Sequence, residues 1–475
     1  MESRSVIRDV PDPTPWLFGL AAAVAVAIWF VDKGPAQIVI LAVAAAPVVA
    51  AFVYFLGVHV YIATVLLIAA SAMPRAAVDI SGVNARPEHV LAGFLCLTLP
   101  WLWNARERKI EWLRADWLLG SYMVINLVSS WFMSVDPKQT TKWAIQQLLA
   151  IAPYFILRIV AGHEDTFRRA FRVLLIIGAL EGLYATVAIY ANKLFGAGFG
   201  LSTEQYEGIP AVYGTQFEPN LLGSYCAACT IMMAVMYLKQ KKRWYLIGYM
   251  LSFSGMAVSF ARASVVAYGA VISLLVLVGV YRRWINWPML RRLVVATAVV
   301  GVVLSPLLVA SYVERFSTVQ VTDVTADPNT FTRTVQLAIG AQQFLNHPIL
   351  GNGTASFQLL FDWQSLGPDW EALGWLGNTE VRVLHDTGIV GFGLFAGFLL
   401  SLGLAARKIL RTVEAPELLA LLVACGVYLL TFQATEGTLL GFSWVHLGLI
   451  GCGVAAYATR IESASANEPL GQPGT

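Results

Sequence analysis

Charged residues are scarce in this sequence, at 13% of 475 residues, whereas soluble globular proteins carry about 25%. Hydrophobic residues make up 57% of the chain. This composition excludes a disordered chain and an ordinary soluble enzyme, and it predicts an integral membrane protein. The net charge of +3 lacks the basic excess of a nucleic-acid-binding protein, so we expect no nucleic-acid partner.

Cysteine is rare as well, with five residues in the whole chain. Cys226 and Cys229 form a Cys-x-x-Cys pair inside an apolar run without a second pair, which favours helix packing over metal or redox chemistry. The chain also lacks a Walker loop, a dinucleotide-binding glycine motif, a zinc-type His-Glu-x-x-His and an Asp-x-Asp. We therefore expect neither a metal nor a cofactor.

Apolar stretches long enough to cross a bilayer recur along the chain. We count up to fourteen, at 16–32, 36–56, 58–73, 89–103, 116–134, 141–161, 172–192, 219–238, 244–260, 263–281, 291–312, 388–405, 416–434 and 437–458. The third and fourth are short and also fit half-spans. The predicted fold class is therefore all-α: a polytopic membrane protein with about 12–14 transmembrane helices, forming one transmembrane domain over 1–475.

Basic residues predict the orientation of these spans. With the N-terminus inside, 22 of the 32 Lys and Arg residues fall on the cytoplasmic side, as the positive-inside rule requires. The outer segment 313–387 is then far longer than a helix connection needs. It contains an amphipathic stretch at 333–344, and its aromatic patch comprises Phe357, Phe361, Trp363, Trp370 and Trp375. We expect a large outer loop with short amphipathic helices, acting as a lid.

Arginines near the outer surface are the first candidates for chemistry. Four lie there: Arg262, Arg315, Arg333 and Arg382. The planar fork of guanidinium donors matches phosphate geometry, so a cluster of them suits a polyanionic headgroup. The structural alternative is snorkelling from a helix end, and it suits Arg315 best because that residue directly follows a span.

The segment 377–391 leads into the span at 388–405 and is rich in polar residues. In a helix, Asn378, Arg382 and His385 fall on one face, at i, i+4 and i+7. Glu380 points to the opposite side and joins them only if the helix begins later. These residues predict a binding face with Arg382 and Asn378, although a lone histidine is commonly structural.

The segment 214–220, Gly-Thr-Gln-Phe-Glu-Pro-Asn, comes just before another span. Pro219 suits the first turn of a helix, which would place Glu218 and Asn220 at the outer membrane surface. Glu218 is either an acidic residue favoured at a helix N-terminus or a carboxylate that faces an outer cavity.

Together these motifs resemble the bacterial O-antigen ligase and O-antigen polymerase superfamily, over about residues 205–400. The resemblance rests on the order of 214–220, Ser-Phe-Ala-Arg-Ala-Ser at 259–264, Arg333, His-Pro-Ile-Leu-Gly-Asn-Gly-Thr at 347–354, and 378–391 with its Leu-x-x-x-Gly-Ile-x-Gly ending. Each motif is loose alone, but their order and spacing make the combination more specific.

The resemblance implies a metal-independent, inverting glycosyltransferase of the GT-C type in the bacterial inner membrane, with its active site facing the periplasm. It would transfer a glycan from undecaprenyl pyrophosphate to a hydroxyl of a glycan or of a lipid-linked acceptor. The two arginines of the family correspond to Arg262 and Arg333, which would hold the pyrophosphate. The sequence leaves open whether a chain-length regulator is a further partner.

One departure bears on the reaction. Ligases of this family have His-Asn at the start of the last motif, and that histidine is thought to activate the acceptor; here the position reads Gly377-Asn378. Its absence favours a polymerase of repeat units over an O-antigen ligase that modifies lipid A core or protein. His385, Glu380 and Glu218 are the candidates for a surrogate base.

A lipid-linked glycan flippase or transporter is the alternative of another class. Such a protein needs ionisable residues at mid-membrane. Glu181 is the one strong mid-span acidic residue, and the sequence shows no partner for it, which counts against transport.

Overall fold

The computed structural model of the protein describes residues 60–76, 78–80, 83–104, 111–206, 208–317, 328–361, 376–431 and 441–466. The predicted spans at 16–32 and 36–56 lie outside these residues, as do Trp363, Trp370 and Trp375 of the aromatic patch.

Helices dominate this part of the chain, and the predicted all-α polytopic fold class is confirmed. The helices are α1 (Val60–Ser71), α2 (Pro87–Asn104), α3 (Arg114–Phe132), α4 (Pro137–Val160), α5 (Glu164–Phe195), α6 (Pro219–Gln240), α7 (Arg243–Val258), α8 (Arg262–Tyr281), α9 (Trp287–Ser317), α10 (Pro328–Phe344), α11 (Thr379–Thr412), α12 (Pro416–Thr431) and α13 (Gly441–Ala466). Two short antiparallel hairpins join them, β1 (Val78–Ile80) with β2 (Val83–Ala85), and β3 (Leu201–Tyr206) with β4 (Ile209–Val212).

Each predicted span from 58–73 onward coincides with one of these helices, and α10 is the predicted amphipathic stretch. Among the described residues, seven helices are long and apolar enough to cross a membrane on their own. The total of 12–14 spans stays a prediction.

Several helix boundaries follow from local sequence chemistry. Asp136 accepts a hydrogen bond from the Gln139 amide, and Pro137 occupies the first turn of α4. Pro219 likewise begins α6. Helix α5 ends at Gly196, whose φ of 69° places it in the left-handed region that glycine tolerates best.

Helix α6 lies at the centre of the bundle, and every residue from 221 to 238 is buried. Small residues such as Gly223, Ala227 and Cys229 allow its neighbours to approach closely. The Sγ of Cys229 packs against the backbone of Gly178 in α5. The Cys-x-x-Cys pair therefore packs helices together, and the cysteines are free thiols.

The two ends of the bundle differ in character. At one end, the buried Arg158 and Asp116 form an ion pair at 3.0 Å that joins α4 to α3. The other end, which we call the loop face, carries the connections at 72–76, 133–136, 196–218 and 259–261 and the segment that precedes α11. Contacts across it include Arg75 N to Thr215 O at 3.2 Å and Ser311 Oγ to Tyr206 O at 2.9 Å. The sequence predicts that the loop face is the outer one.

Candidate functional site

The motif at 214–220 is fixed to the bundle before α6 begins. Glu181 of α5 accepts the Thr215 amide at 2.8 Å, and the Thr215 hydroxyl lies 2.9 Å from its other oxygen. The side-chain amide of Gln216 donates to Ala72 O at 2.8 Å. Glu181 therefore does have a partner, contrary to the sequence-based expectation, and its role here is structural.

Arg262 begins α8 directly after a tight turn at the loop face. The turn is made by Phe260, whose φ is 54°, and the Phe260 ring packs on Tyr206 and Tyr312. Gly223 of α6 lies against the turn, with no room for a Cβ beside Ser259 Oγ. The geometry places half-buried Arg262 close to the start of α6. Glu218 directly precedes this helix, and Asn220 lies in its first turn.

Arg333 lies on α10, which packs against α11. Its guanidinium donates to the carbonyl of Gly377 at 3.2 Å. A Cβ added at Gly377 would meet the same guanidinium, which would have to shift to accommodate it. Gly377, where the sequence resemblance expects a histidine, is thus in contact with Arg333, which the resemblance identifies as one of two functional arginines.

Helix α11 is broken at Gly388, where φ is 65° and ψ is −170°. The loop at 348–353 fills the break with its own backbone. Two amides beyond the break donate to it, Ile389 N to Pro348 O at 2.9 Å and Val390 N to Ile349 O at 3.2 Å. Before the break the loop is the donor instead: the amides of Asn352 and Gly353 donate to the carbonyls of His385 and Asp386. The opened peptide groups are therefore paired, as membrane depth requires.

Asp386 connects this loop to the rest of the site. Its carboxylate accepts the Ala355 amide at 2.9 Å and lies 3.5 Å from Arg382 Nε and 2.9 Å from His385 Nδ1. Its backbone carbonyl accepts the Ser129 hydroxyl of α3 at 2.7 Å. One aspartate thereby orients Arg382 and His385 and ties α11 to α3.

His385 is completely buried. Its Nδ1 contacts Asp386 and its Nε2 lies 2.9 Å from the Gln343 side-chain oxygen of α10. The Phe357 ring packs edge-on against the imidazole. Proton transfer at either ring nitrogen requires one of these contacts to break, so the arrangement suits a positioning role.

A polar hollow of about 230 Å³ opens beside Asp386. Its described lining combines cationic, amide and aromatic side chains, and comprises Arg86, His89, Trp143, Gln146, Gln147, Ala150, Thr354, Ala355, Phe357, Gln358, Leu376, Arg382 and Asp386. Arg382 thus lines a cavity, whereas Arg262 and Arg333 are not among these lining residues.

A network of polar side chains forms the floor of the polar hollow. Gln147 donates to the Tyr122 hydroxyl at 3.2 Å and accepts from the Asn126 amide at 3.2 Å. The Thr354 hydroxyl donates to the side-chain oxygen of Asn126, and Ser130 Oγ lies 2.8 Å from the Thr354 hydroxyl. Since each member is held by another, the floor is preorganised rather than mobile.

The wall formed by Arg86 connects the hollow to the start of α6. The Arg86 guanidinium lies over the Phe217 ring, 4.9 Å from its centroid. Behind it, fully buried Glu88 lies 3.9 Å from the guanidinium. Glu88 precedes the predicted span 89–103, and burial raises its pKa to about 7 because the loss of hydration outweighs the attraction of Arg86.

Glu380 lies elsewhere, as helix periodicity requires. Because α11 begins at Thr379, Glu380 lines a second hollow of about 290 Å³ between α11, α12 and α13. Apolar residues such as Phe395, Leu422 and Leu447 dominate its lining. Asn378 caps α11, with its side chain accepting the amide of Val381 at 2.9 Å.

Asp386 and the hollow were not predicted, although the sequence held signals for both. An aspartate two residues before the predicted span 388–405 is costly unless it has partners. Tyr122, Asn126 and Ser129 recur at helical spacing within the predicted span 116–134 and so mark a polar face of α3. Arg86 and Trp143 carry no comparable local signal.

Residues 247–396 match the model of a family described as O-antigen ligase. The matched region begins within α7 and ends within α11, so it contains Arg262, Arg333 and the segment from Asn378 to Asp386. A comparison with curated proteins finds no match. The family match confirms the resemblance in the sequence motifs: residues 247–396 of this chain are similar to the O-antigen ligase and polymerase superfamily.

Proposed function

We propose that the protein is an inner-membrane glycosyltransferase that polymerises oligosaccharide repeat units carried on undecaprenyl pyrophosphate. The observation that carries the proposal is the family match over 247–396, which includes both Arg262 and Arg333. The polar hollow at the loop face supports it, because Arg382 lies there beside aromatic and amide side chains suited to a glycan. The outer segment 313–387 would cover this face.

In the proposed reaction a hydroxyl of one repeat unit attacks the anomeric carbon of another. The new glycosidic bond forms as the bond to pyrophosphate breaks, and the lipid pyrophosphate leaves with the bonding electrons. Arg262 and Arg333 stabilise the negative charge that builds on it, and Arg382 supports them. The displacement inverts the anomeric carbon and needs no metal.

The proton of the attacking hydroxyl needs an acceptor. Of the three candidates, His385 has both ring nitrogens engaged and Glu380 faces the apolar hollow. Glu218 follows Phe217, whose ring contacts Arg86 in the wall of the polar hollow. We therefore favour Glu218 as the base.

Transfer of a finished glycan to lipid A core or another acceptor is the second candidate function. The description of the matched family favours it, whereas Gly377 at the position of the ligase histidine favours polymerisation. A flippase is less well supported, because the mid-span carboxylate of Glu181 is engaged by Thr215.

The test is a reconstituted assay with purified protein and lipid-linked repeat units. We expect chain growth, and a loss of about 10²–10³ in turnover for Arg262→Ala and for Arg333→Ala, which is the usual cost of removing one charge-stabilising donor. Arg75→Ala is the control, since Arg75 lies at the same face but stacks on Tyr213 at 3.5 Å.

The products separate the alternatives. In a deletion strain, single repeat units without polymer support the proposed polymerase, and intact polymer left on the carrier lipid identifies a ligase. Translocation of lipid-linked units that persists in both arginine variants, without any glycosidic bond formation, would overturn the enzyme proposal.

A further inference from the structure

The polar hollow has the side chains of a sugar-binding site. Trp143 and Phe357 supply aromatic surface, against which the apolar face of a sugar ring packs. The amides of Gln146, Gln147 and Gln358 supply donors and acceptors that match hydroxyl groups. This mixture differs from the apolar hollow beside Glu380, whose lining suits hydrocarbon.

The charge of the lining points to an anionic ligand. Among the described residues that line the hollow, two arginines, Arg86 and Arg382, stand against one carboxylate, Asp386. A second carboxylate, Glu88, lies 3.9 Å behind Arg86, and burial raises its pKa to about 7, so it balances the charge of Arg86 only in part at neutral pH. The positive charge that remains fits a single negative charge better than the several charges of a pyrophosphate. A carboxylate matches the planar fork of a guanidinium in a bidentate manner.

Both guanidinium groups are held in place by their neighbours. Arg86 lies over Phe217, and the Nε of Arg382 lies 3.5 Å from Asp386. The floor between them is the network that includes Gln147 and Thr354. A ligand therefore meets a preorganised site and loses less free energy in ordering it.

The size of the hollow limits what it can hold. Its volume is about 230 Å³, several times the roughly 30 Å³ that one water occupies in the liquid. It is smaller than the roughly 300–1,000 Å³ of sites for drug-sized ligands. One ring-sized group fits this space, whereas a longer chain has to extend out of it.

We propose that the polar hollow is a saccharide subsite for a sugar residue that bears a carboxylate, of the hexuronic acid class. This inference rests on the proposed function, because it names a component of the glycan on which the enzyme acts. Trp143 stacks on the ring, and Arg86 and Arg382 bind the carboxylate. The subsite makes the enzyme selective for an acidic repeat unit.

The test measures binding rather than turnover, with the full chain in lipid nanodiscs. The probes are methyl glucuronoside, methyl glucoside and inorganic pyrophosphate, followed by saturation-transfer NMR. We expect the glucuronoside to bind about tenfold or more tightly than the glucoside, as the loss of one charged hydrogen-bonded contact implies. Arg86→Gln should abolish that preference, and Trp143→Ala should weaken both sugars.

The matched control is Arg75→Gln. Arg75 is also an arginine over an aromatic ring at the loop face, but it does not line the hollow. Equal binding of the two glycosides, or no binding of either, would overturn the inference. So would Arg86-dependent binding of pyrophosphate that is tighter than that of the glucuronoside, because it would identify a headgroup site.

The two proposals fail separately. If Arg262→Ala and Arg333→Ala abolish chain growth while the glucuronoside does not bind, the enzyme proposal stands and the acidic subsite is wrong. If the glucuronoside binds through Arg86 but no glycosidic bond forms with any lipid-linked unit, the proposed function is wrong.

Discussion

At the residue scale, Asp386 concentrates several contacts in one side chain. Its Oδ2 accepts the Ala355 amide and lies 3.5 Å from Arg382 Nε, and its Oδ1 lies 2.9 Å from His385 Nδ1. An ionised carboxylate has about four acceptor sites, enough for these contacts. An asparagine oxygen in place of Oδ2 could still accept from Ala355, but the neutral amide would lose the charge-assisted attraction to Arg382. The negative charge therefore helps to hold Arg382 in place.

Asp386→Asn should uncouple Arg382 from the loop at 351–355 while leaving the fold in place. We expect turnover in the reconstituted assay to fall by about 10²-fold, the cost of a small misplacement near the reacting groups. The variant should still elute as a single species. Asp136→Asn is the control, because Asp136 is exposed and asparagine also caps α4 well. Wild-type turnover in Asp386→Asn would contradict a positioning role.

The sequence allowed part of this site to be predicted. Helix periodicity placed Arg382 on a different face from Glu380, and the two residues do line different hollows. Asp386 escaped prediction because its contacts are long-range: Ser129, which donates to its carbonyl, lies 257 residues earlier. Arg86 and Trp143 reach the hollow only through packing of α2 and α4, which no local pattern encodes.

At the element scale, the break in α11 determines how the site is assembled. The opened backbone of α11 pairs with the loop at 348–353. This pairing positions Thr354 and Ala355 beside Asp386. The helix start at Pro219 was predicted because capping chemistry is local, and Pro137 carries the same local signal. The break could not be predicted, because glycine is common in membrane helices and the pairing partner lies in a distant loop.

Gly388→Ala should therefore be much more damaging than an ordinary glycine substitution. A non-glycine residue in this backbone region costs about 1–3 kcal/mol, and the added Cβ would clash with Ile349 O. We expect a lower Tm and less folded protein. Gly393→Ala in the same helix is the control: its Cβ would meet nothing within 4 Å, and alanine favours a helix by about 1 kcal/mol. Equal Tm values for the two variants would refute the role of the break.

At the scale of the whole molecule, charge separates the two ends of the bundle. Basic residues such as Lys239, Arg243 and Arg282 lie at the end opposite to the loop face. The positive-inside rule therefore predicts that the loop face, with the polar hollow, lies outside. A donor that has crossed the membrane on its carrier lipid would meet the site there.

This orientation predicts which positions a membrane-impermeant thiol reagent can reach in intact spheroplasts. In a Cys96→Ala background, Thr203→Cys on strand β3 should be labelled before lysis, because it is exposed at the loop face. Lys242→Cys, exposed between α6 and α7, should be labelled only after lysis. The reverse pattern would invert the topology and remove the site from the outer face.

The plugged break in α11 also has a consequence for biosynthesis. The loop at 348–353 precedes α11 in the chain, so the ribosome makes it first. With the loop face outside, as the positive-inside rule predicts, the loop would be exported ahead of α11, and the carbonyls of Pro348 and Ile349 would already be on the far side to receive the amides of Ile389 and Val390. Translation order would thus spare α11 an interval in which its opened peptide groups face lipid.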